Sequence, residues 1–207
     1  MSLLFSQENT NYGIGTSTLG SRNSFFGYNS GKLSSGEAFA NSFFGHSAGL
    51  NTTGDYNTAM GWQALFSNTT GDNNTGIGNN TLYSNTTGYA NAAIGNKALY
   101  SNLSGIGNVG IGHFTLADNT TGDVNTAVGN GALGRNTTAS GNTAVGNGAL
   151  WKNSVGEFNS AIGSNALYLN TTGSQNTANG GRALSQNSTG HNNTATGYQS
   201  LHSNVSG

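Results

Sequence analysis

The sequence predicts an all-β fold, a parallel β-solenoid of about twelve coils. A 17-residue unit recurs nine times in succession between residues 51 and 203, and this period is too short for two helices and a turn. The unit consists mainly of Asn, Thr and Gly, which are poor helix formers that favour turns and extended backbone. Only 33% of the 207 residues are hydrophobic, so no unit can bury enough surface alone and the units must stack.

The unit has the consensus N-T-T-G-x-x-N-T-A-(V/I)-G-x-x-A-L-x-x, and we number its positions one to seventeen from the first Asn. Position eleven is Gly in every unit, and position fifteen is Leu in every unit. This periodicity defines a regular domain, residues 51–207, whose final residues NVSG begin a further repeat.

Residues 1–50 form a second, irregular region. NYGIG at 11–15 and NSFFG at 23–27 and 41–45 match the N-T-A-V-G part of the unit, but at separations of 12, 18 and 16 residues. We expect three irregular coils here that cap the N-terminal end of the stack, as atypical repeats do in solenoids.

Each segment of the unit has a predicted place in the coil. N-T-A-V-G predicts a short strand with Val or Ile pointing inward, and A-L-x predicts a second extended segment with Leu inward. Gly122 and Gly129, at positions four and eleven, are predicted to form corners with positive φ. The predicted core is the column of leucines: Leu65, Leu82, Leu99, Leu116, Leu133, Leu150, Leu167, Leu184 and Leu201.

Position seven is Asn in all nine units: Asn57, Asn74, Asn91, Asn108, Asn125, Asn142, Asn159, Asn176 and Asn193. Two structural interpretations are open. The amides of successive coils can hydrogen-bond as a ladder along the axis. Alternatively, Asn is used because it tolerates left-handed turn geometry.

Charge and residue types exclude several functions. The six Lys+Arg and seven Asp+Glu residues give a net charge of -1, which offers no basic patch to nucleic acid or to anionic lipid. No apolar stretch is long enough for membrane insertion. The few acidic and His residues show no catalytic or metal-binding pattern, so the sequence predicts no enzyme, no catalytic residue, no metal site and no cofactor.

N-T-A-V-G at 125–129 and 142–146, N-S-A-I-G at 159–163 and N-A-A-I-G at 91–95 resemble the N-S-V-A-I-G head repeat of YadA-like trimeric autotransporter adhesins. The longer unit, as in NTTGDNNTGIGNNTLYS, is similar to repeat regions of bacterial surface and phage tail-fibre proteins. The resemblance covers essentially residues 11–207 and implies a left-handed β-roll, three chains side by side, and a fibre segment that binds host or matrix ligands. The repeat is longer than in those heads, so the handedness of the coil stays open, as does the choice between two and three sides.

Position sixteen holds an interrupted row of aromatic residues: Phe66, Tyr83, Tyr100, Trp151 and Tyr168. Because they follow the inward Leu, we expect these side chains to point outward. Such a row could fill the seam between chains of a homotrimer or stack on sugar rings, and the seam is the favoured interpretation.

We therefore expect a structural and adhesive segment of a bacterial surface fibre or phage tail fibre. Its partners would be copies of itself and a host or matrix surface or glycan. Its place would be extracellular, on a cell surface or virion, with targeting and anchoring segments outside this chain. The alternatives are a self-assembling extracellular filament and, with less support, an ice-binding solenoid. Ice binding is suggested by the T-T pairs but weakened because adjacent Thr residues of a strand face opposite sides.

Overall fold

The computed structural model describes residues 10–12, 22–33 and 38–207, and it forms a parallel β-solenoid. One sheet contains all its strands in chain order, and each strand pairs only with the strands of the adjacent coils. The strands are β1 (Thr10–Tyr12), β2 (Ser24–Phe26), β3 (Ser42–Phe44), β4 (Thr58–Met60), β5 (Thr75–Ile77), β6 (Ala92–Ile94), β7 (Val109–Ile111), β8 (Thr126–Val128), β9 (Thr143–Val145), β10 (Ser160–Ile162), β11 (Thr177–Asn179) and β12 (Thr194–Thr196).

The strand register confirms the repeat alignment from β2 onward. Strand β8 pairs in register with β9, so that Ala127 lies beside Ala144 at the same repeat position. The irregular spacings around NSFFG are confirmed as well, because β2, β3 and β4 pair at the predicted motif positions. The alignment of NYGIG is wrong: Thr10 pairs with Ser24, whereas the motif would place Tyr12 there.

Outside the strand, the coil is a series of bends and turns in which positive φ angles recur. They lie at positions six, eleven, thirteen and fifteen, as in Val124 (φ 55), Gly129 (φ 124) and Leu133 (φ 51). A second extended segment at A-L-x is therefore not present in the regular coils, and the Leu lies in a left-handed turn. Gly129 is confirmed as a corner, whereas Gly122 lies outside the left-handed region.

A non-glycine residue with positive φ costs roughly 1–2 kcal/mol, and hydrogen bonds between coils offset this cost. Because φ is positive at positions thirteen and fifteen, the peptide groups point alternately along the solenoid axis. The N–H of Asn80 donates to the carbonyl of Trp62 in the preceding coil at 2.9 Å. The N–H of Leu82 donates to the carbonyl of Ala98 in the following coil at 3.1 Å. The turns thus continue the coil-to-coil pairing of the strands.

The core is narrower than the sequence predicts. Position nine, the central strand residue, is fully buried, as at Ala144, whereas Val145 at position ten faces solvent. The alternation along the strand was correctly predicted, but the inward face was inverted. The interior holds position nine together with the Ala and Leu of positions fourteen and fifteen, as at Ala149 and Leu150. This space fits alanine from the strand, and the wider Val must lie outside.

The column of leucines is confirmed as core for eight of its nine members, which are fully buried: Leu65, Leu82, Leu99, Leu116, Leu133, Leu150, Leu167 and Leu184. Leu201 was wrongly predicted to be core, because 52% of its surface is exposed. It belongs to the coil of residues 187–203, whose strand β12 pairs with β11.

The two N-terminal coils fill the same interior with different residues. Phe25 and Phe43 replace alanine at position nine, and their buried rings stack 5.0 Å apart at an interplanar angle of 4°. Gly31 and Gly49 replace leucine at position fifteen. A Cβ on Gly31 would lie 2.6 Å from the Phe25 ring, and a Cβ on Gly49 would overlap the Phe43 ring. The large side chain therefore enters from the strand in these two coils and from the turn in the regular coils.

A smaller exchange occurs inside two regular coils. Gly76 and Gly110 replace alanine at position nine, and in the same coils Thr81 and Thr115 replace alanine at position fourteen. A Cβ on Gly76 would lie 3.1 Å from the hydroxyl oxygen of Thr81. Both Thr side chains are fully buried, and that of Thr115 donates to the carbonyl of Gly112 at 3.1 Å. Positions nine and fourteen thus share one volume.

The Asn column of position seven forms an amide ladder. The Oδ1 atom of Asn125 accepts the backbone N–H of Asn142, one coil later, at 3.0 Å. Its Nδ2 group donates to the carbonyl of Ala139 at 2.9 Å. Asn57, Asn74, Asn91, Asn108, Asn125, Asn142, Asn159 and Asn176 are at most 1% exposed, and Asn193 in the last coil is partly exposed.

A second ladder runs through position one. The Nδ2 group of Asn85 donates both to Oδ1 of Asn68 at 2.6 Å and to the carbonyl of Gly88 at 2.9 Å. The ladder hypothesis is therefore confirmed for the position-seven column, and position one forms a ladder of the same kind. The alternative, left-handed geometry at the Asn residues, is wrong for these columns because their φ angles are not positive.

Candidate interaction surfaces

An apolar stripe runs along the outer face of the sheet. Position ten is apolar and turned outward from β2 to β10, and its side chains include Phe26 (57% exposed), Met60 (47%) and Ile162 (45%). The stripe ends at Asn179 and Thr196, the position-ten residues of the last two coils. We call it the position-ten stripe: Phe26, Phe44, Met60, Ile77, Ile94, Ile111, Val128, Val145 and Ile162.

The columns beside the stripe carry no Lys, Arg, Asp or Glu from β2 to β12. Position eight contributes Ser, Thr, Ala and Val, and position twelve, just beyond the Gly corner, contributes mainly Asn, His and aromatic residues. The charged residues lie at other positions, such as Asp72 at position five and Lys97 at position thirteen. Depletion of charge around an apolar centre is characteristic of protein–protein interface cores.

The predicted aromatic row is continuous only in its first part. Phe66, Tyr83 and Tyr100 stack on one another, with centroid distances of 5.0 and 5.2 Å and nearly parallel rings. The ammonium group of Lys97 lies 5.4 Å from the Tyr100 ring centroid and covers that end of the row. The row is half-buried by these internal contacts, and its use as a seam between chains stays a prediction.

Trp151 and Tyr168, the second part of the row, lie against glycines. A Cβ on Gly131 would lie 2.7 Å from the Trp151 ring, and a Cβ on Gly148 would lie 3.3 Å from the Tyr168 ring. Arg135 covers one side of Trp151, with its guanidinium carbon 5.8 Å from a ring centroid. The glycines leave a depression beside both aromatic rings.

This depression is a groove of two adjoining cavities of about 280 Å³ each, which we call the Trp151–Tyr168 groove. The first cavity is lined by Trp151, Tyr168 and the side chains of Asn130, Asn147 and Asn165, and by Gly131 and Gly148. The second shares Tyr168 and Asn165 with the first and extends past Leu169 and Ser185 to Arg182, Gln186 and His202. Sequence reasoning missed the groove, although Gly at position thirteen in only two regular coils was its signal.

The paired threonines do not form a flat array of free hydroxyls. At position two the hydroxyl bonds to the next coil, as Thr86 Oγ1 donates to the carbonyl of Leu103 at 2.9 Å and Thr120 Oγ1 to that of Thr137 at 3.0 Å. Most position-three threonines, such as Thr87 and Thr121, are exposed, whereas Thr69 is the exposed threonine of position two in the described coils. This arrangement gives one rank of threonines where an ice-binding surface would use two.

The acidic residues of position five have a structural contact. The carboxylate of Asp72 accepts the backbone N–H of Asp55 at 2.8 Å, and that of Asp123 accepts the N–H of Ile106 at 2.8 Å. Within the described residues, no three His, Cys, Asp or Glu side chains cluster as metal ligands would. The described part of the chain also contains no helix that could span a membrane.

Comparison with known proteins adds no relative to this description. No protein family, no curated protein and no solved structure matches the chain.

Proposed function

We propose that this chain is a structural and adhesive fibre segment in which three copies lie side by side. The observation that carries the proposal is the position-ten stripe. A row of Phe, Met, Ile and Val side chains is turned outward along nine consecutive strands, seven of them exposed and two half-buried, in a chain that is only 33% hydrophobic. Contiguous exposed apolar surface of this kind marks an interaction site.

The occupant that fits this stripe is a second copy of the chain. Its side chains are spaced by the coil repeat, about 4.8 Å, and another solenoid of the same repeat presents ridges and grooves at the same spacing. Parallel chains in register place like side chains at the same level along the whole stripe. The flanking columns lack formal charge, so association leaves no buried unpaired ion.

The size of the surface agrees with this occupant. The stripe is about 40 Å long at about 4.8 Å per coil, and with its two flanking columns it is about 13 Å wide. Each chain therefore offers about 500 Å² to its two neighbours, so that three converging chains bury about 1,500 Å² in total over their three contacts. A stripe one residue wide suits chains that converge on a common axis, and three is the number that the YadA-like resemblance implies.

In this arrangement the fibre holds or presents a surface-binding region outside the cell or on a virion. Stacked coils supply stiffness, because every strand and turn bonds to its neighbours along the axis. Cyclic packing around the stripe leaves the opposite turns free to contact a surface.

Sedimentation equilibrium on the purified chain tests the proposal. We expect a mass three times that of the 21.0 kDa chain. The double variant Ile94→Asp/Ile111→Asp should sediment as a monomer, because it places charges within the stripe. The matched control is Thr87→Asp/Thr121→Asp, which adds the same charge at exposed positions away from the stripe and should leave the mass unchanged.

A monomer mass for the unaltered chain would overturn the association, and a dimer mass would overturn the three-chain arrangement. Negative-stain images separate the self-assembling filament, which gives long fibres, from the segment proposed here, which gives short rods. A thermal hysteresis signal would favour ice binding instead.

A further inference from the structure

The Trp151–Tyr168 groove differs from the rest of the aromatic row in being open. In the coil of residues 85–101, Lys97 occupies position thirteen and its ammonium group lies over the rings of Tyr100 and Phe114. Position thirteen is Gly148 in the coil that holds Trp151, and Gly131 in the coil before it. The same backbone therefore carries half-buried aromatic rings with Lys97 over them in one part of the solenoid, and half-buried rings that line a cavity in another.

Uncommitted amide groups surround the open rings. Within the described residues, the side chains of Asn147 and Asn165 have no hydrogen-bond partner. The amide of Asn130 has one weak contact, 3.4 Å from Nδ1 of His113. Each Asn side chain offers two N–H donors and a carbonyl acceptor. The buried Asn columns, by contrast, use these groups in the ladders.

Aromatic rings beside free amides suit a particular ligand chemistry. A pyranose ring has an apolar face of C–H groups that packs on an aromatic ring, and a rim of hydroxyls that both donate and accept hydrogen bonds. The first cavity contains no formally charged side chain, so it does not select an ionic group. Trp151 and Tyr168 lie one coil apart, a distance of about 4.8 Å that is close to the length of one sugar unit in a chain.

We propose that the Trp151–Tyr168 groove binds an uncharged oligosaccharide that runs along the fibre axis. One pyranose ring packs against Trp151 and the next against Tyr168, and the amides of Asn147 and Asn165 bond to their hydroxyls. The second cavity, past Tyr168 toward Gln186, extends the chain of sugar units. Together the two cavities fall within the roughly 300–1,000 Å³ typical of ligand sites.

This inference rests on the proposed adhesive function and names the class of ligand that the fibre would contact. Asn130 and Asn147 belong to the position-twelve column at the edge of the stripe, while the aromatic rings lie beyond the turn. In the coils of the groove the contact between chains would therefore use positions eight and ten, and Asn147 would stay accessible to the ligand. Each chain would therefore carry its own groove along the outer turns of the assembly.

The experiment uses the full chain carrying Trp62→Phe, which leaves Trp151 as the sole tryptophan. The chain is applied to an array of neutral and acidic oligosaccharides, and the strongest neutral ligand is then titrated while Trp151 fluorescence is recorded. We expect saturable binding to at least one neutral oligosaccharide. In an array repeated with each variant in the native Trp62 background, Tyr168→Ala and Trp151→Ala should weaken that binding by about tenfold or more.

A second variant fills the groove: a Cβ on Gly148 would lie 2.5 Å from Oδ1 of Asn165, so the new side chain displaces that amide as it enters. Gly148→Lys copies the arrangement of Lys97 over Tyr100, because Gly148 has the same left-handed backbone (φ 64, against 55 at Lys97). The matched control Gln63→Lys places the same side chain at position thirteen of a distant coil. Gly148→Lys should abolish binding, and Gln63→Lys should leave it unchanged.

Three results would overturn the groove: no neutral oligosaccharide bound, binding unchanged in Gly148→Lys and Tyr168→Ala, or binding confined to acidic sugars and dependent on Arg182 alone. The mass of each variant is measured in parallel. A trimer that binds no sugar overturns the groove and leaves the fibre, whereas a monomer that binds sugar overturns the three-chain association and leaves the groove.

Discussion

The exchange of core residues between the N-terminal and the regular coils predicts strong coupling between positions nine and fifteen. Phe43 fills the interior of its coil from the strand, and Gly49 leaves room for the ring. Phe43→Ala removes a fully buried ring and should destabilise the solenoid by about 3–5 kcal/mol. Gly49→Leu alone drives a side chain into the same space and should cost about 1–3 kcal/mol from overpacking.

The double variant Phe43→Ala/Gly49→Leu recreates the Ala and Leu pair of the next coil, Ala59 and Leu65, whose backbone at position fifteen is also left-handed. It should lie within about 2 kcal/mol of the parent, since what remains is mainly the lost stack of Phe43 on Phe25. The interaction free energy from the double-mutant cycle should therefore be at least about 2 kcal/mol in favour of the pair.

Urea unfolding followed by the fluorescence of Trp62 measures this cycle. Trp62 lies in the coil directly after Phe43, and the N–H of Gln63 donates to the carbonyl of His46 across that junction at 2.9 Å. Trp151 is replaced by Phe in all four chains, so that the signal reports the N-terminal end. Additive effects of the two substitutions would refute the idea that the two positions share one volume.

Two further predictions concern the turns and the ladders. Val124→Asn should raise the melting temperature by about 2–4 °C, because an exposed β-branched residue with φ 55 is strained. Asn tolerates this backbone geometry, as Asn73 does at the same position of its coil. The converse substitution, Asn73→Val, should lower the melting temperature. Asn142→Ala should destabilise by about 2–4 kcal/mol in urea unfolding, because it removes the acceptor of the buried N–H of Asn159 and one of the two amide donors to the carbonyl of Gly156. Asn147→Ala, at an exposed amide, should change stability by less than about 0.5 kcal/mol.

The spacing of the repeat determined the architecture, whereas hydrophobicity alone misled the assignment of the strand faces. A period of 17 with Asn and Gly columns predicts stacked coils in register, and the ladders of Asn125 and Asn85 follow from identical residues at one level. Val145 is more apolar than Ala144, so the pattern favours Val as the inward residue. The interior has no room for it, because the Leu of position fifteen, Leu150 in this coil, fills the space that position nine would need.

Paired residue changes between repeats of the chain indicate which face of the strand points inward. The pairs Gly76 with Thr81 and Phe43 with Gly49 place position nine in contact with the turn, which only an inward side chain achieves. The left-handed turn at position fifteen had no such signal, because leucine is rarely found there and the cause is hydrogen bonding between coils. The groove could not be predicted from the sequence either, because it depends on Gly131 and Gly148, whose neighbours in space lie one coil away.

The nearest-neighbour bonding of the coils also bears on how such a chain changes over generations. Each coil contacts only the one before and the one after it, and most junctions have the same register. If one repeat is removed, such as residues 119–135, the coil that begins at Asn102 meets the coil that begins at Asn136. The strands of these two coils can then pair in the same register as the strands of the original neighbours. Recombination between near-identical repeats therefore lengthens or shortens the rod in steps of about 4.8 Å while the fold is kept. The length of the rod, and with it the distance that it spans, therefore changes between generations by whole repeats.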